Sequence, residues 1–168
     1  HLARARSGSV IRVIFRLKGD ATVSPFCFCV IINQLPMSKD LPLKSSFAYF
    51  RSIPVRWGDV DMLGHVNNVK FFTYCEEARV NYFQNLLAGN MWDADEALIL
   101  ADIGCSFLQQ VKYPATLEVG VRVKKIGSSS MQVEHALFYA GTQECVATAR
   151  AVVVWFDFKN QRSAKVPD

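Results

Sequence analysis

The sequence predicts an α+β domain in which one long, largely buried helix packs against a strongly curved antiparallel sheet. Two patterns lead to this prediction: apolar residues recur at helical spacing over residues 69–87, and the segments on either side have the patterns of strands. The strands after the helix are joined mainly by short turns, which connect antiparallel neighbours. One helix combined with consecutive antiparallel strands is an α+β arrangement.

The helix is predicted from its apolar stripe and its ends. Asn67 and Asn68 precede the apolar pattern and are favoured N-cap residues. Gly89 lies just beyond the last apolar position, where glycine favours a helix end. Glu76 and Arg79 are three residues apart, so we expect them to pair on a half-buried face.

The strands are predicted from alternation, from β-branched and aromatic content, and from the turns between them. Pro54 indicates a bulge or an edge position in the first strand. The last segment is long and apolar, which favours a central strand. The five predicted strand segments are residues 47–57, 97–111, 117–124, 131–139 and 146–158.

Composition indicates one globular domain and argues against nucleic acid as a partner. The chain has 168 residues, of which 51% are hydrophobic and 20% charged. Its net charge of +4 comes from residues 1–36, because residues 37–168 carry 14 basic and 14 acidic side chains. We therefore expect an N-terminal extension over 1–36, outside a functional domain over 37–168. An organelle-targeting peptide and a secretory signal are the alternatives for this extension.

The five cysteines predict neither a disulfide framework nor a metal site, because their number is odd and their spacing does not suit zinc. Cys75 and Cys145 are expected to be small core residues, and Cys27 and Cys29 lie in the extension. A reducing, cytoplasmic location fits this pattern. No apolar run reaches the length of a membrane-spanning helix, and no cofactor is implied.

Residues 56–79, RWGDVDMLGHVNNVKFFTYCEEAR, bring an acidic turn, an imidazole and a helix N-terminus into one short segment. A helix N-terminus offers unpaired N–H groups and a partial positive charge, which suit a carbonyl oxygen that becomes an oxyanion. A carboxylate beside it can attack the carbonyl or activate water. The segment therefore suggests acyl-transfer chemistry, and Asp61 is the leading carboxylate. Asp59 is expected to be a solvated turn residue.

The same segment resembles acyl-CoA thioesterases of the 4-hydroxybenzoyl-CoA thioesterase-like family, which have the hotdog fold. The resemblance extends over about residues 47–158, although the specific motif covers only 56–79. It implies a five-stranded antiparallel sheet wrapped around the helix, and a homodimer or homotetramer with active sites between subunits. It also implies that Asp61 is the catalytic carboxylate, as nucleophile or general base, with Glu76 on the helix as the alternative base.

The remaining site predictions combine this resemblance with the chemistry of the residues. His65 is a candidate orienting donor, and the backbone N–H groups of Asn68 and Val69 are candidate oxyanion donors. Asn67 is a candidate substrate contact. The coenzyme phosphates could bind at a basic strand and its serine-rich turn, formed by Arg122, Lys124, Lys125 and Ser129.

The predicted function is hydrolysis of a fatty or aromatic acyl-CoA to the free acid and coenzyme A, without a metal and without membrane insertion. One alternative is hydrolysis of acyl chains carried on acyl carrier protein. Another is a non-catalytic protein of the same fold that binds acyl-CoA, which the presence of Asp61 disfavours.

Overall fold

The computed structural model describes residues 41–87 and 95–167. The predicted boundary between residues 36 and 37, the two cysteines Cys27 and Cys29, and the predicted helix-ending Gly89 lie outside the described residues.

The described chain forms one antiparallel sheet and one long helix, as predicted. The elements are β1 Tyr49–Pro54, α1 Asn68–Leu87, β2 Glu96–Phe107, β3 Thr116–Ile126, β4 Ser130–Tyr139, β5 Cys145–Asp157 and β6 Arg162–Ser163. Two short 3-10 helices, Lys44–Ser46 and Trp57–Asp59, flank β1. The main strands follow the order β1-β3-β4-β5-β2, and the two-residue strand β6, which the sequence did not predict, pairs with β5.

Helix α1 begins where its cap residue predicts. The Asn67 side-chain oxygen accepts the Val69 N–H at 3.0 Å, which satisfies one of the unpaired donors of the first turn. The apolar face of α1 packs against alternate residues of β3, and the residues between them point to the other face of the sheet. The buried residues of this interface include Phe71, Tyr74, Cys75 and Ala78 on α1 and Leu117, Val119 and Val121 on β3.

The last long strand lies in the interior of the sheet, as predicted, although it is not the middle strand. The central strand is β4, and β5 lies between β4 and the edge strand β2. Because β3, β4 and β5 are joined by short turns, β4 is necessarily the middle of these three. The apolar character of β5 follows from pairing along most of its length with strands on both sides.

A second, smaller core covers the face of the sheet that points away from α1. It consists of Phe47, Ala136, Phe138 and Cys145, so Cys145 is buried as predicted. Gly120 of β3 lies beneath it, and a Cβ atom there would approach the Phe47 ring to 2.8 Å. No helix among the described residues is long and apolar enough to cross a membrane.

Candidate active site

A tight turn places Asp61 and His65 beside each other ahead of the helix. Val60 and Val66 form an isolated antiparallel bridge, and the Asp61 N–H donates to the His65 carbonyl at 2.9 Å. Gly64 closes the turn with a φ of +79°, a conformation that glycine adopts without strain. The turn therefore fixes the acid and the imidazole relative to the start of α1.

Asp59 is buried, so its prediction as a solvated acid is wrong. Its carboxylate accepts the Tyr74 hydroxyl at 2.8 Å and the Arg56 N–H at 3.0 Å, and it lies 3.3 Å from the Lys70 ammonium. Burial alone would raise the pKa of Asp59, but these hydrogen bonds and charges hold it below the usual value. The 3-10 turn folds this carboxylate back onto α1, so Asp59 anchors the turn to the helix.

Asp61 lines a cleft at the same end of the sheet. Its Oδ1 accepts the Leu63 N–H at 2.8 Å, which fixes the carboxylate plane. The cleft has a volume of about 420 Å³. Its polar lining residues are Asp61, His65, Asn67, Asn68, Gln109 and Gln110, and its apolar ones are Leu63, Val66, Phe71, Phe107, Leu108 and Val111.

The structure distinguishes the two N–H groups predicted as oxyanion donors. The Val69 N–H is occupied by the Asn67 side chain, and the Lys70 N–H donates to the Asn67 carbonyl at 2.8 Å. Within the described part of the chain, no acceptor is bonded to the Asn68 N–H. Asn68 therefore supplies the available donor at the helix N-terminus.

The loop over residues 108–111 also lines the cleft, which the sequence did not predict. The N–H groups of Leu108 and Gln109 both donate to the Val146 carbonyl, at 2.9 and 3.1 Å, and the Val66 N–H donates to the Val111 carbonyl at 2.7 Å. These bonds hold Gln109 and Gln110 against the cleft. Two glutamines after a strand carry no pattern that would have indicated this position.

Glu76 and Arg79 do not form the predicted ion pair. Glu76 is exposed and does not line the cleft, whereas its neighbour Glu77 pairs with Arg51 at 3.3 Å. Arg79 is only 6% exposed, and its Nη1 has no hydrogen-bond partner. Burial lowers the pKa of Arg79. Arg79 is buried and Glu76 is exposed, so the two charges interact only through space and not as a contact ion pair.

His135 on β4 is a second buried polar group that the sequence did not indicate. It is 1% exposed, and neither ring nitrogen has a partner in good hydrogen-bond geometry, although an interaction with the Ala149 backbone on β5 partly offsets the fall in its pKa. Burial, followed by the positive charge of Arg79, lowers the pKa of His135 to about 4. The imidazole is therefore neutral at pH 7.

The basic strand predicted to bind phosphate lies apart from the cleft within one chain. Arg122 and Lys124 both bind Glu134, at 2.7 and 2.6 Å, on the face of the sheet that points away from α1. Lys125 is exposed, and the carbonyl of Ser129 accepts the Trp155 N–H. Among residues 41–87 and 95–167, no three His, Cys, Asp or Glu side chains lie close enough to hold a metal ion.

Comparison with known proteins adds a family and several relatives. The sequence profile of the thioesterase-like superfamily matches residues 55–168. The uncharacterized protein YsmA of Bacillus subtilis is 36% identical over 107 residues, which are 61% of this chain and 71% of YsmA. The chloroplastic acyl-acyl carrier protein thioesterase ATL3 of Arabidopsis thaliana is 24% identical over 117 residues, 68% of this chain and 61% of that protein.

Two solved structures share both the fold and appreciable sequence identity. The PA2801 protein of Pseudomonas aeruginosa is 36% identical with a TM-score of 0.68, and the match covers 73% of this chain and 94% of that one. A Thermus thermophilus thioesterase complexed with coenzyme A and zinc is 31% identical with a TM-score of 0.61, covering 73% of this chain and 93% of that one.

Proposed function

The chain belongs to the thioesterase-like superfamily, and on that basis we propose that this thioester hydrolase acts on acyl thioesters of coenzyme A. The observation that carries the proposal is the cleft, which is lined both by Asp61 and by Asn68 at the start of α1, whose N–H has no acceptor among the residues that the structure describes. A general acyl-binding protein has no need of a carboxylate at this position.

The proposed chemistry places the thioester carbonyl between these two groups. The carbonyl oxygen accepts the Asn68 N–H, which stabilises the oxyanion, and one such donor is typically worth about 3 kcal/mol of the barrier. Asp61 acts on the carbonyl carbon directly or through a water molecule, and His65 orients the thioester. The C–S bond then breaks, and one water is consumed as acid and thiol are formed.

The apolar part of the cleft supports a fatty or aromatic acyl group. Phe107 at the end of β2 packs against Phe71 and Phe72 of α1, with ring centroids 5.3 and 6.4 Å apart. Phe107 remains 41% exposed and lines the cleft. These rings offer an apolar surface close to Asp61, as an acyl chain or aryl ring requires. The coenzyme A in the Thermus thioesterase supports the other half of the substrate.

We further propose that the active protein is a dimer paired through β2. This twelve-residue strand has β5 on one side, and no strand of the described chain covers its other edge. An uncovered edge of this length invites pairing with another chain. The cleft lies at the end of β2, and antiparallel pairing would bring the β3–β4 turn of the second copy to the same end. The predicted phosphate contacts at Lys125 and Ser129 would then be made by that second copy.

The central test is release of free thiol from a panel of acyl-CoAs of increasing chain length and from aryl-CoAs. The wild-type chain should hydrolyse at least one of them, and Asp61→Asn should lower turnover at least about 100-fold without lowering the melting temperature. Glu76→Gln and the exposed Asp95→Asn are matched controls that should retain turnover. Near-native turnover of Asp61→Asn, together with loss of turnover in Glu76→Gln, would show that the base is Glu76 on the helix.

The alternative carrier is acyl carrier protein, which the name of the Arabidopsis relative favours. The same acyl chain should therefore be offered on coenzyme A and on acyl carrier protein. A higher kcat/KM for the protein-bound chain would show that acyl carrier protein, and not coenzyme A, is the preferred carrier. The role of Asp61 would be unchanged.

The dimer is tested by placing a charge on the β2 edge. Leu100 of β2 is 44% exposed, and Leu100→Lys should weaken self-association and reduce activity at low protein concentration. Leu43→Lys, at a residue that is 73% exposed and lies beside β1 at the other edge of the sheet, is the matched control and should change neither. A fully active wild-type monomer in sedimentation at micromolar concentration would contradict the shared site.

A further inference from the structure

Two exposed aromatic residues form a ledge beside the cleft, and neither is explained by the chemistry above. Trp57 is 78% exposed and Tyr113 is 46% exposed. Their ring centroids are 5.6 Å apart, with an interplanar angle of 85°. We call this pair the aromatic ledge. The two rings meet edge to face, so the solvated indole is supported by the phenol and can offer a ring face for stacking on another ring.

Hydrogen bonds hold the two segments of the ledge together, and one of these segments continues into the turn that carries Asp61 and His65. The Val55 N–H donates to the Ala115 carbonyl at 2.9 Å, and the Val66 N–H donates to the Val111 carbonyl at 2.7 Å. These bonds keep the two chain segments side by side. Trp57 also opens the 3-10 turn that ends at the buried Asp59. The position of the indole is therefore coupled to that of the turn.

The ledge lies within reach of a substrate seated in the cleft. Trp57 precedes Asp61 by four residues, so their Cα atoms are at most about 15 Å apart. Tyr113 follows Val111, which lines the cleft, by two residues. An extended pantetheine arm can cover such a distance.

Each ring of the ledge is preceded in sequence by a basic residue. Arg56 precedes Trp57, and its side chain is 64% exposed. Lys112 precedes Tyr113 and is also exposed. The nearby carboxylate of Asp59 is buried, and Lys70 lies closer to it than Arg56 does, at 3.3 Å against 3.8 Å. These two segments and the first turn of α1 carry three basic residues, Arg56, Lys70 and Lys112, against the two acids Asp59 and Asp61, so their net charge is positive.

We propose that the aromatic ledge stacks on the adenine of coenzyme A, with Arg56 and Lys112 contacting its phosphates. This inference rests on the proposed coenzyme A substrate and adds the residues that recognise its nucleotide end. Aromatic rings with adjacent cations match a base carrying phosphates, because every base has a π-face and phosphates attract basic side chains. A purely apolar acyl chain would make no use of the two cations.

The kinetic test compares two substrates that share one acyl chain. Trp57→Leu should raise KM for the acyl-CoA about 5- to 100-fold, the range expected for loss of one base stack, with little change in kcat. It should leave hydrolysis of the corresponding acyl-pantetheine unchanged, because that substrate lacks the nucleotide. Trp57→Phe should restore most of the affinity. Phe158→Leu, at an aromatic residue that is 45% exposed and outside the cleft lining, is the control and should have no effect.

The binding test uses adenosine 3′,5′-bisphosphate alone. It should inhibit acyl-CoA hydrolysis competitively and bind to the wild-type chain in calorimetry, with at least about fivefold weaker binding to Trp57→Leu and to an Arg56→Ala, Lys112→Ala variant. Inorganic phosphate at the same concentration should compete poorly.

The outcomes separate this proposal from the proposed function. If hydrolysis of acyl-pantetheine depends on Asp61 but Trp57→Leu leaves the KM for acyl-CoA unaltered, the role of the ledge is overturned and the proposed function stands. A change in sedimentation of Trp57→Leu without a change in nucleotide binding would make the ledge a contact between copies and overturn it likewise. Absence of hydrolysis of every thioester would overturn the proposed function, while nucleotide binding would still decide the role of the ledge.

Discussion

His135 should make the stability of the protein depend on pH in a range where the carboxylates contribute little. The folded chain keeps the imidazole buried beside Arg79, and burial followed by that charge lowers its pKa from 6.5 to about 4. Between these values the unfolded chain binds a proton at His135 and the folded chain does not. The free energy of unfolding therefore falls as the pH is lowered from 6.5 towards 4.

The size of the effect follows from the pKa difference. A pKa that falls from 6.5 in the unfolded chain to about 4 in the folded chain corresponds to roughly 3 kcal/mol at full protonation, of which about 2 kcal/mol is lost by pH 5. Asp59 and Glu134 have lowered pKa values, so their stabilisation is present above the unfolded values of 3.8 and 4.5 and is lost only below them. The loss between pH 6.5 and 5 is therefore assigned mainly to His135.

The assay is urea unfolding of the wild type and of His135→Leu at pH 7 and pH 5. Because neither ring nitrogen has a well-aligned hydrogen-bond partner and the ring keeps only a weak interaction with the Ala149 backbone, leucine removes little, and the variant should be about as stable as the wild type at pH 7. The wild type should lose about 2 kcal/mol more than the variant on going to pH 5.

Two results would refute this reasoning. Equal losses in the wild type and in His135→Leu would show that the imidazole does not titrate in this range. A large destabilisation of His135→Leu at pH 7 would show that the ring has a partner in solution that supports its neutral form.

Four further substitutions or deletions test the fold around the site. Asp59→Asn should lower the free energy of unfolding by about 2 kcal/mol in urea, because it weakens charge-assisted hydrogen bonds to a buried carboxylate. Gly120→Ala should cost about 1–3 kcal/mol, since its Cβ would meet the Phe47 ring at 2.8 Å, and adding Phe47→Leu should recover part of the loss. Gly64→Ala should cost about 1 kcal/mol through its positive φ alone, and should lower turnover by displacing the turn. Deleting residues 1–36 should leave melting and thiol release unchanged; loss of either would place that segment within the domain.

Helix α1 and the five main strands could be predicted because burial imposes a period on the sequence. The apolar stripe that predicted a helix over 69–87 corresponds to α1, which begins one residue earlier. Strand order was less accessible, because the apolar content of β5 indicates two covered faces but does not identify its neighbours. Only the hairpins joining β3, β4 and β5 place β4 in the centre.

Side-chain partners were the least predictable feature. The spacing of Glu76 and Arg79 permits an ion pair, but the rotation of α1 against the sheet decides which side chain is buried. That rotation depends on contacts with β3, β1 and β2, which are distant in sequence. Gln109 and Gln110 could not be predicted as cleft residues for the same reason. Their place in the cleft lining is set by hydrogen bonds to Val146 and between Val111 and Val66, which are distant in sequence.

The two acids of the turn show why residue type and spacing did not assign both roles. Asp59 and Asp61 are identical side chains two residues apart, and either could cap a turn or serve as a base. The 3-10 turn directs Asp59 onto the Tyr74 hydroxyl, where its oxygens are occupied and its charge is compensated. The bridge between Val60 and Val66 leaves Asp61 lining the cleft, with one oxygen held by the Leu63 N–H. A carboxylate whose oxygens are already bonded stabilises a fold, whereas one with an oxygen open to a cleft can act on a substrate. The geometry of the turn therefore supports Asp61 as the proposed nucleophile or base, and Asp59 anchors the turn that carries it.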